Sequence, residues 1–401
     1  MKERFDIVIV GAGITGLTIA ALLTKSVCSD RLRLRLVDAG VRPRHRPDDD
    51  IALRVSAIAS GSVALLDGIG AWSYIRETRA CPYDRMRVWD ASTSVDGPAT
   101  LRFDAAEFAV AQLGFIVENV LLQHAILDVL DAADIELVFS APILSLQRHD
   151  NRYRLQLEGA GKLQADLVIG ADGAQSFVRR SVGIETRDWP YGQSAFVTHL
   201  QPQESHRHTA RQRFLADGPL GMLPLCDGRV SIVWSTTANL VERAMSASDA
   251  DLGRLLSELS DHVLGELGTP GPRGAFPLCA RHAQQYVLPG VALIGDAAHA
   301  VHPLAGQGAN LGLQDAATLA TVIEAALANG EYPGDRPVLR RYERARKGAN
   351  ATMLHFMTGL NYLFATDSAL LRELRTTGMR LFNHSGPIRE QMVGVALGTG
   401  R

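Results

Sequence analysis

The sequence predicts an α/β fold: a Rossmann-like nucleotide-binding domain, an antiparallel sheet inserted into it, and a helical C-terminal segment. Three observations predict it. The chain opens on an apolar strand that runs straight into a G-x-G-x-x-G turn and a helix-like stretch. Two later apolar runs, ending near residues 170 and 295, repeat that strand-then-glycine grammar. Between these landmarks the βαβ rhythm gives way to short alternating runs, the pattern of antiparallel strands with one face buried.

Taken in order, FDIVIV (5–10) is continuously apolar and β-branched, as a strand buried on both faces requires. GAGITG then supplies Gly11, Gly13 and Gly16, with Thr15 between the last two, and LTIAALLTKS reads as a helix. The three glycines serve a tight turn, close backbone approach to a pyrophosphate, and close helix-to-strand packing. The helix N-terminus offers free N–H groups and its positive dipole end to the phosphates. A second strand, LRLRLVDAG, ends in Asp38, about 22 residues past Gly16, where an acid accepts hydrogen bonds from a ribose hydroxyl. Strand, glycines, helix, strand and acid in this order indicate a dinucleotide and leave NAD and FAD both open.

The runs RMRVWDAS, QSAFVTHLQ, RQRFLAD and GRVSIVWS alternate with period two and predict the inserted sheet. QPQESHRHTARQR (201–213) reads as an exposed polar loop, and HVLGELGTPGPRGAF (262–276) as a Gly/Pro-rich connection. ADLVIGADGAQSFVRR (165–180) is another buried strand, followed by Gly170, Asp172 and Gly173. LIGDAAHAVHPLAGQGANLGLQDA (293–316) places Gly295 and Asp296 at a strand end and a glycine-rich loop before a helix. From 338 to 365 a helix-like run is basic first (Arg340, Arg341, Arg344, Arg346, Lys347) and apolar later (Met353, Leu354, Phe356, Met357, Leu360, Leu363, Phe364). The apolar half reads as core or subunit contact, and the basic half as either a solvated helix turn or a surface for anionic lipid or a partner protein. The expected division is 1–70, 106–182 and 277–330 for the nucleotide domain, 71–105 and 183–276 for the inserted sheet, and 331–401 for the helical segment.

Composition excludes several classes. A chain of 401 residues with a formal charge of -2 carries no chain-wide basic field for nucleic acid. Four cysteines without a CxxC pair offer neither a disulfide framework nor a zinc site. His299 and His302 form H-x-x-H, but they straddle a loop that continues into Pro303, whereas a helical zinc pair is spaced i, i+4. No metal is expected. The N-terminus enters a strand at once and no run of eighteen apolar residues occurs, so the expected location is cytoplasmic, at most peripheral to the inner face of a membrane.

The ordered trio of G-x-G-x-x-G, G-A-D-G and L-I-G-D-A-A-H resembles the single-component FAD-dependent aromatic hydroxylases, the para-hydroxybenzoate hydroxylase-like class A flavoprotein monooxygenases. HPLAGQGANLGLQDA, RVSAIASGSVALLDGIGAW, GFIVENVLLQHAIL and the ending LRRYERARKGAN…LRELRTTGMRLF…ALG narrow it: they are similar to the ubiquinone-biosynthesis hydroxylase family over essentially the whole chain. Gln175 stands where that family has Asn, and Ala309 where it often has a larger apolar residue. The resemblance implies FAD held by the first fingerprint and by Asp172, Gly295 and Asp296, the last toward the ribityl or pyrophosphate region. It implies that Pro303, Gly306, Gln307, Gly308, Ala309 and Asn310 start a helix aimed at the flavin N1–C2=O edge, where the dipole stabilises the reduced ring. It places Arg54 near the pyrophosphate or flavin, and Gln123, with Asn119 before it, beside the ribose.

The resemblance further implies that NAD(P)H visits transiently as reductant, since no second G-x-G-x-x-G is present. O2 would then react at the flavin C4a as a hydroperoxide, and one oxygen would pass to a polyprenylated phenol. Partner proteins of a quinone-biosynthesis complex and peripheral membrane contact follow from such a substrate. Two alternatives stay open: a hydroxylase of a small soluble aromatic acid, and a non-catalytic flavin-binding scaffold. No Ser-His-Asp or Cys-His arrangement is legible, and the sequence names no acid–base residue.

Overall fold

The computed structural model describes residues 4–302, 307–365 and 369–398. The chain begins β1 (Phe5–Val10), α1 (Ile14–Lys25), β2 (Leu32–Val37), β3 (Val55–Ala59), α2 (Ser60–Gly68), α3 (Trp72–Arg79) and β4 (Cys81–Tyr83). It continues through β5 (Arg85–Asp90), β6 (Leu101–Asp104), β7 (Gly114–Glu118), α4 (Asn119–Asp131) and β8 (Ile135–Val138). Next come β9 (Ile143–His149), β10 (Arg152–Leu157), β11 (Gly161–Ala165), β12 (Leu167–Gly170) and α5 (Phe177–Ser181). Then β13 (Thr186–Leu200), β14 (Thr209–Leu215), β15 (Gly218–Pro224) and β16 (Val230–Thr237) precede α6 (Ala238–Ser246), α7 (Asp249–Leu259) and β17 (Gly274–Ala283). The last elements are β18 (Val287–Leu288), β19 (Val291–Leu293), β20 (His299–Ala300), α8 (Gln307–Ala328), α9 (Arg336–Ala365), α10 (Ala369–Asn383) and α11 (Pro387–Leu397).

The nucleotide-type sheet has the order β18-β19-β12-β1-β2-β8, and every pairing except the β18 edge is parallel. β1 sits centrally and all its residues are buried, which is why FDIVIV is apolar without alternation. Ile7, Ile9, Leu17, Leu36, Ile169, Leu293, Leu319 and Ile323 belong to one continuous core joining this sheet to α1, α4 and α8. α8 is long and apolar enough to span a membrane by composition alone, but here it is a core helix, with Leu313, Leu319 and Ile323 fully buried.

The inserted sheet has the order β20-β17-β13-β16-β15-β14-β5-β6. β17 belongs to it as far as Ala283, beyond the boundary expected at 276, because its register along β13 runs from Gly274 to Ala283. The segment 201–213 is loop only in part, since β14 begins at Thr209 and pairs in parallel with β5. A small antiparallel meander, β11-β10-β9, also interrupts the nucleotide domain where helix-and-strand alternation was expected.

The two faces of the inserted sheet are covered differently. α6 and α7 cover one face with Leu252 and Leu256 against Trp89, Phe196 and Trp234. The apolar end of α9 covers part of the other: Met357 and Phe364 join Val88, Phe214 and Met379, and the Phe214 and Phe364 rings stack at 3.8 Å. Fully burying such a side chain contributes about 1.5–3 kcal/mol. The front of α9 docks on the nucleotide domain instead, where the Tyr342 hydroxyl donates to the Leu293 carbonyl at 2.8 Å. One helix thus straps both units together.

The basic half of α9 departs from the sequence expectation. Arg346 is not a surface charge, for its Nε donates to the fully buried Asp315 at 2.8 Å. Arg341 forms a bidentate pair with Glu331 at 2.6 Å, and Lys347 donates to the Gln284 carbonyl. Arg340 and Arg344 remain exposed.

Candidate active site

The first fingerprint is built around three different constraints on glycine. Gly11 has φ +107°, and a Cβ there would lie 2.4 Å from the Ala171 carbonyl oxygen. A Cβ on Gly16 would lie 1.9 Å from the Gly11 carbonyl oxygen, so only glycine lets α1 pack onto the turn. Gly13 has no atom within 4 Å of its would-be Cβ and lines a cavity. That is the open approach a pyrophosphate needs. Asp38, at the end of β2, accepts from Ala12 N at 2.5 Å and Gly40 N at 2.6 Å, which fixes both the glycine turn and its own loop. Gln123 on α4 lines the cavity and donates Nε2 to the Ala12 carbonyl at 2.9 Å. Asn119 also lines it, and its Oδ1 accepts from Ser56 Oγ at 2.7 Å.

The second and third motifs face the same cavity from β12 and β19. One Asp172 oxygen, Oδ2, accepts from Val178 N at 3.0 Å at the start of α5. The other, Oδ1, is buried without a partner and belongs to a cavity-lining residue. Asp296 is open to the cavity yet lies deep in the molecule; that burial pushes its carboxyl pKa up, against the pull of His299 and Arg54. Gly295 has φ +57°, and its would-be Cβ meets Thr15 Oγ1 at 3.0 Å, while that of Gly312 on α8 meets it at 2.3 Å. Thr15 therefore keys the first fingerprint against both later elements.

Gly308 and Ala309 at the start of α8 line the cavity, and Gly308 has no atom within 4 Å of its would-be Cβ. Asn310 turns elsewhere: its amide donates to the Ala57 carbonyl at 2.9 Å and accepts from Ala59 N at 3.0 Å, which ties α8 to β3. Pro303 and Gly306 lie outside the described residues, and Gln307 is described for its backbone alone. Arg54 lines the cavity with its guanidinium 5.5 Å from the Phe276 ring centroid.

A residue the sequence reading did not assign holds these parts in place. Asp315 on α8 accepts from Gly295 N at 3.1 Å, from His299 Nε2 at 2.5 Å, from Arg346 and from Asn350 Nδ2 at 3.0 Å. It fixes the turn that presents Asp296. His299 is thus an ion-pair partner, and His302 is buried with both ring nitrogens unpartnered, 4.9 Å from the Tyr191 ring. No cluster suited to a metal ion occurs among the described residues.

The cavity has a volume of about 1460 Å³ and runs from Gly13 and Asp38, past Asp172 and Asp296, to Ala195, Val197, Leu223 and Val233 on the inserted sheet. Ligand pockets typically measure about 300–1,000 Å³, so this one has room for an extended cofactor and a second molecule. FAD fits the residues present. The open approach at Gly13 suits its pyrophosphate, the unpartnered Asp172 Oδ1 awaits a hydroxyl, and Gly308 leaves a bare helix start for the ring.

Comparison with known proteins agrees with that geometry. The FAD binding domain family matches residues 4–357. The chain is 37% identical over 400 residues to 3-demethoxyubiquinol 3-hydroxylase of Escherichia coli (strain K12), covering 99% of each chain. It is 34% identical over 438 residues to the ubiquinone biosynthesis monooxygenase COQ6, mitochondrial, of Homo sapiens, covering 98% of this chain and 92% of that one. Among solved structures, p-nitrophenol 4-monooxygenase PnpA from Pseudomonas putida DLL-E4 aligns over 100% of both chains with a TM-score of 0.78 at 20% identity, a likeness of fold. The chain belongs to the FAD-dependent monooxygenases of the FAD binding domain family, and within them to the ubiquinone-biosynthesis hydroxylases.

Proposed function

We propose that the protein hydroxylates the aromatic ring of a polyprenylated phenol in ubiquinone biosynthesis, with NAD(P)H as transient reductant and O2 as oxygen donor. The observation that carries this reading is the single cavity joining the nucleotide fingerprint to the apolar wall of Ala195, Val197, Leu223 and Val233. Bound FAD, once reduced, would activate O2 and supply one oxygen atom to the ring, the other leaving as water. The protein's residues bind and orient. Gly13 and Asp38 receive the adenosine diphosphate half, Asp172 and Asp296 accept from hydroxyls along the chain, and Gly308 and Ala309 meet the ring edge. The inserted sheet excludes water from the reacting carbon.

A polyprenyl chain is scarcely free in water, because each buried CH2 favours an apolar phase by about 0.8 kcal/mol. The enzyme therefore collects its substrate at the inner face of a membrane, or from partner proteins of a quinone-biosynthesis complex, while itself residing in the cytoplasm. Mass spectrometry of quinone intermediates in cells lacking the gene tests the reading. A prenylated phenol lacking one hydroxyl should accumulate, and the purified protein should oxidise NADPH faster when a short-chain prenylphenol is added. Unchanged quinone content in the deleted cells would sink it.

A further inference from the structure

The inserted sheet lines the cavity with apolar side chains such as Ala195, Val197, Leu223 and Val233 and with polar ones, Arg211, Gln212, Ser231 and Ser235 among them. His199 on β13 and Ser231 on β16 are directly opposite each other. Side chains alternate along a strand, so they share the face of Val197 and Val233, which line the cavity together with Ser231 itself. His199 is 2% exposed and Ser231 is fully buried. His199 Nε2 and Ser231 Oγ are without a hydrogen-bond partner, while the His199 ring also hydrogen-bonds with the Leu53 backbone. Buried polar groups are nearly always paired, and these two unpaired ones, adjacent across two strands with Ser231 on the cavity wall, can both engage one hydrogen-bonding group.

The surroundings say what kind of group. On the other side of Ser231 stands Leu223, which offers nothing polar. Arg229, a cation that acts on His199, is committed to two carboxylates, Asp227 and Asp50. Arg211 on β14 also lines the cavity, and it donates to the His206 and Thr209 carbonyls. Burial, with Arg229 nearby, outweighs the hydrogen bond to the Leu53 backbone and holds the His199 ring below its usual pKa, so it is neutral near pH 7 and Nε2 offers a lone pair or an N–H. Ser231 can likewise donate or accept. An uncharged oxygen that both donates and accepts satisfies both groups at once.

We propose that His199 and Ser231 form the head-group site of the substrate cavity and hold a neutral phenolic hydroxyl of the aromatic ring. They are positioning residues that set where the phenol ring lies. The assignment rests on the phenol reading given above and deepens it by naming residues that recognise the ring.

Titrating a short-chain prenylphenol and its analogue lacking the hydroxyl into the FAD-loaded enzyme, with the flavin absorption as signal, tests the assignment. Ser231→Ala and His199→Gln should keep their FAD, bind the phenol on the order of tenfold more weakly, and bind the deoxy analogue as wild type does. More hydrogen peroxide should be released per NADPH oxidised, because a loosely held ring is missed. Ser231→Ala should also melt at an unchanged or higher temperature without substrate, since it removes an unsatisfied buried hydroxyl; a purely structural serine would show the reverse. Wild-type phenol affinity and coupling in both folded variants would overturn the head-group site and leave the phenol reading standing. A wild-type enzyme that responds to no phenol would overturn both.

Discussion

Gly16 and Gly308 belong to nucleotide motifs of similar spelling and face different surroundings. A Cβ on Gly16 would collide with backbone at 1.9 Å, whereas one on Gly308 meets no protein atom within 4 Å. Overpacking costs about 1–3 kcal/mol, and more where the neighbour is backbone that cannot turn aside. Gly16→Val should therefore fold poorly, which a melting curve will show. Gly308→Val should melt like wild type and contain little flavin, because its new side chain projects where the ring belongs; normal flavin content would show that this position does not meet the cofactor. Asp38 clasps Ala12 N and Gly40 N and, in the proposed function, also receives the adenosine half of FAD. Asp38→Ala should weaken FAD binding by roughly 1–3 kcal/mol, measured by titration of the apoprotein. The flavin released from wild type should be FAD and not FMN.

α8 and α9 meet through a charge that no local pattern reveals. Asp315 is fully buried; burial opposes its charge, but His299 and Arg346 outweigh that and hold the carboxyl below the usual range. A carboxyl with a depressed folded pKa contributes stability above its unfolded pKa of about 4 and loses it as pH falls through the lower folded value. Wild type should thus lose stability on that acid limb, and Asp315→Asn should lack the limb while being about 3–5 kcal/mol less stable at neutral pH, since it leaves Arg346 and His299 buried without their anion. Urea denaturation from pH 3 to 7 checks both. Arg346 shows why this element was misread from sequence: in RRYERARK a buried arginine looks like its solvated neighbours, and only a partner 31 residues away distinguishes it. The same limit applies to Asn310, whose side chain serves β3 across 251 residues, and to His199 and Ser231, ordinary strand residues until the unpartnered Nε2 and Oγ are known. The fingerprint glycines and the strands FDIVIV and ADLVIG were legible because backbone conformation and two-sided burial constrain sequence locally. The end of β17 was not, because its register is set by β13.

For the whole molecule, the question is how an enzyme with a formal charge of -2 meets a lipid-borne substrate. No global field would draw it to an anionic membrane, so in the proposed function attraction is local. With Arg346 held by Asp315, Arg341 paired with Glu331 and Lys347 bound to the Gln284 carbonyl, the exposed cations along α9 are Arg336, Arg340 and Arg344, which border one surface groove together with Arg341. They recur every four residues, so they share a helix face. Only Arg340 has a carboxylate near it, Glu343 at 3.9 Å, among ion pairs of the described residues. Each basic residue close to an anionic surface contributes about 1 kcal/mol, and the effect fades within a Debye length of about 8–10 Å. Reversing all three to glutamate should abolish flotation with phosphatidylglycerol vesicles at low salt and lower quinone yield in cells. FAD content and NADPH oxidation with a short-chain phenol should be untouched, because none of the three lines the cavity. Arg346→Glu should behave in the opposite way, losing stability and flavin together, since it sets a second carboxylate against Asp315. A triple variant that floats with vesicles as wild type does would show that this face of α9 is only a solvated surface.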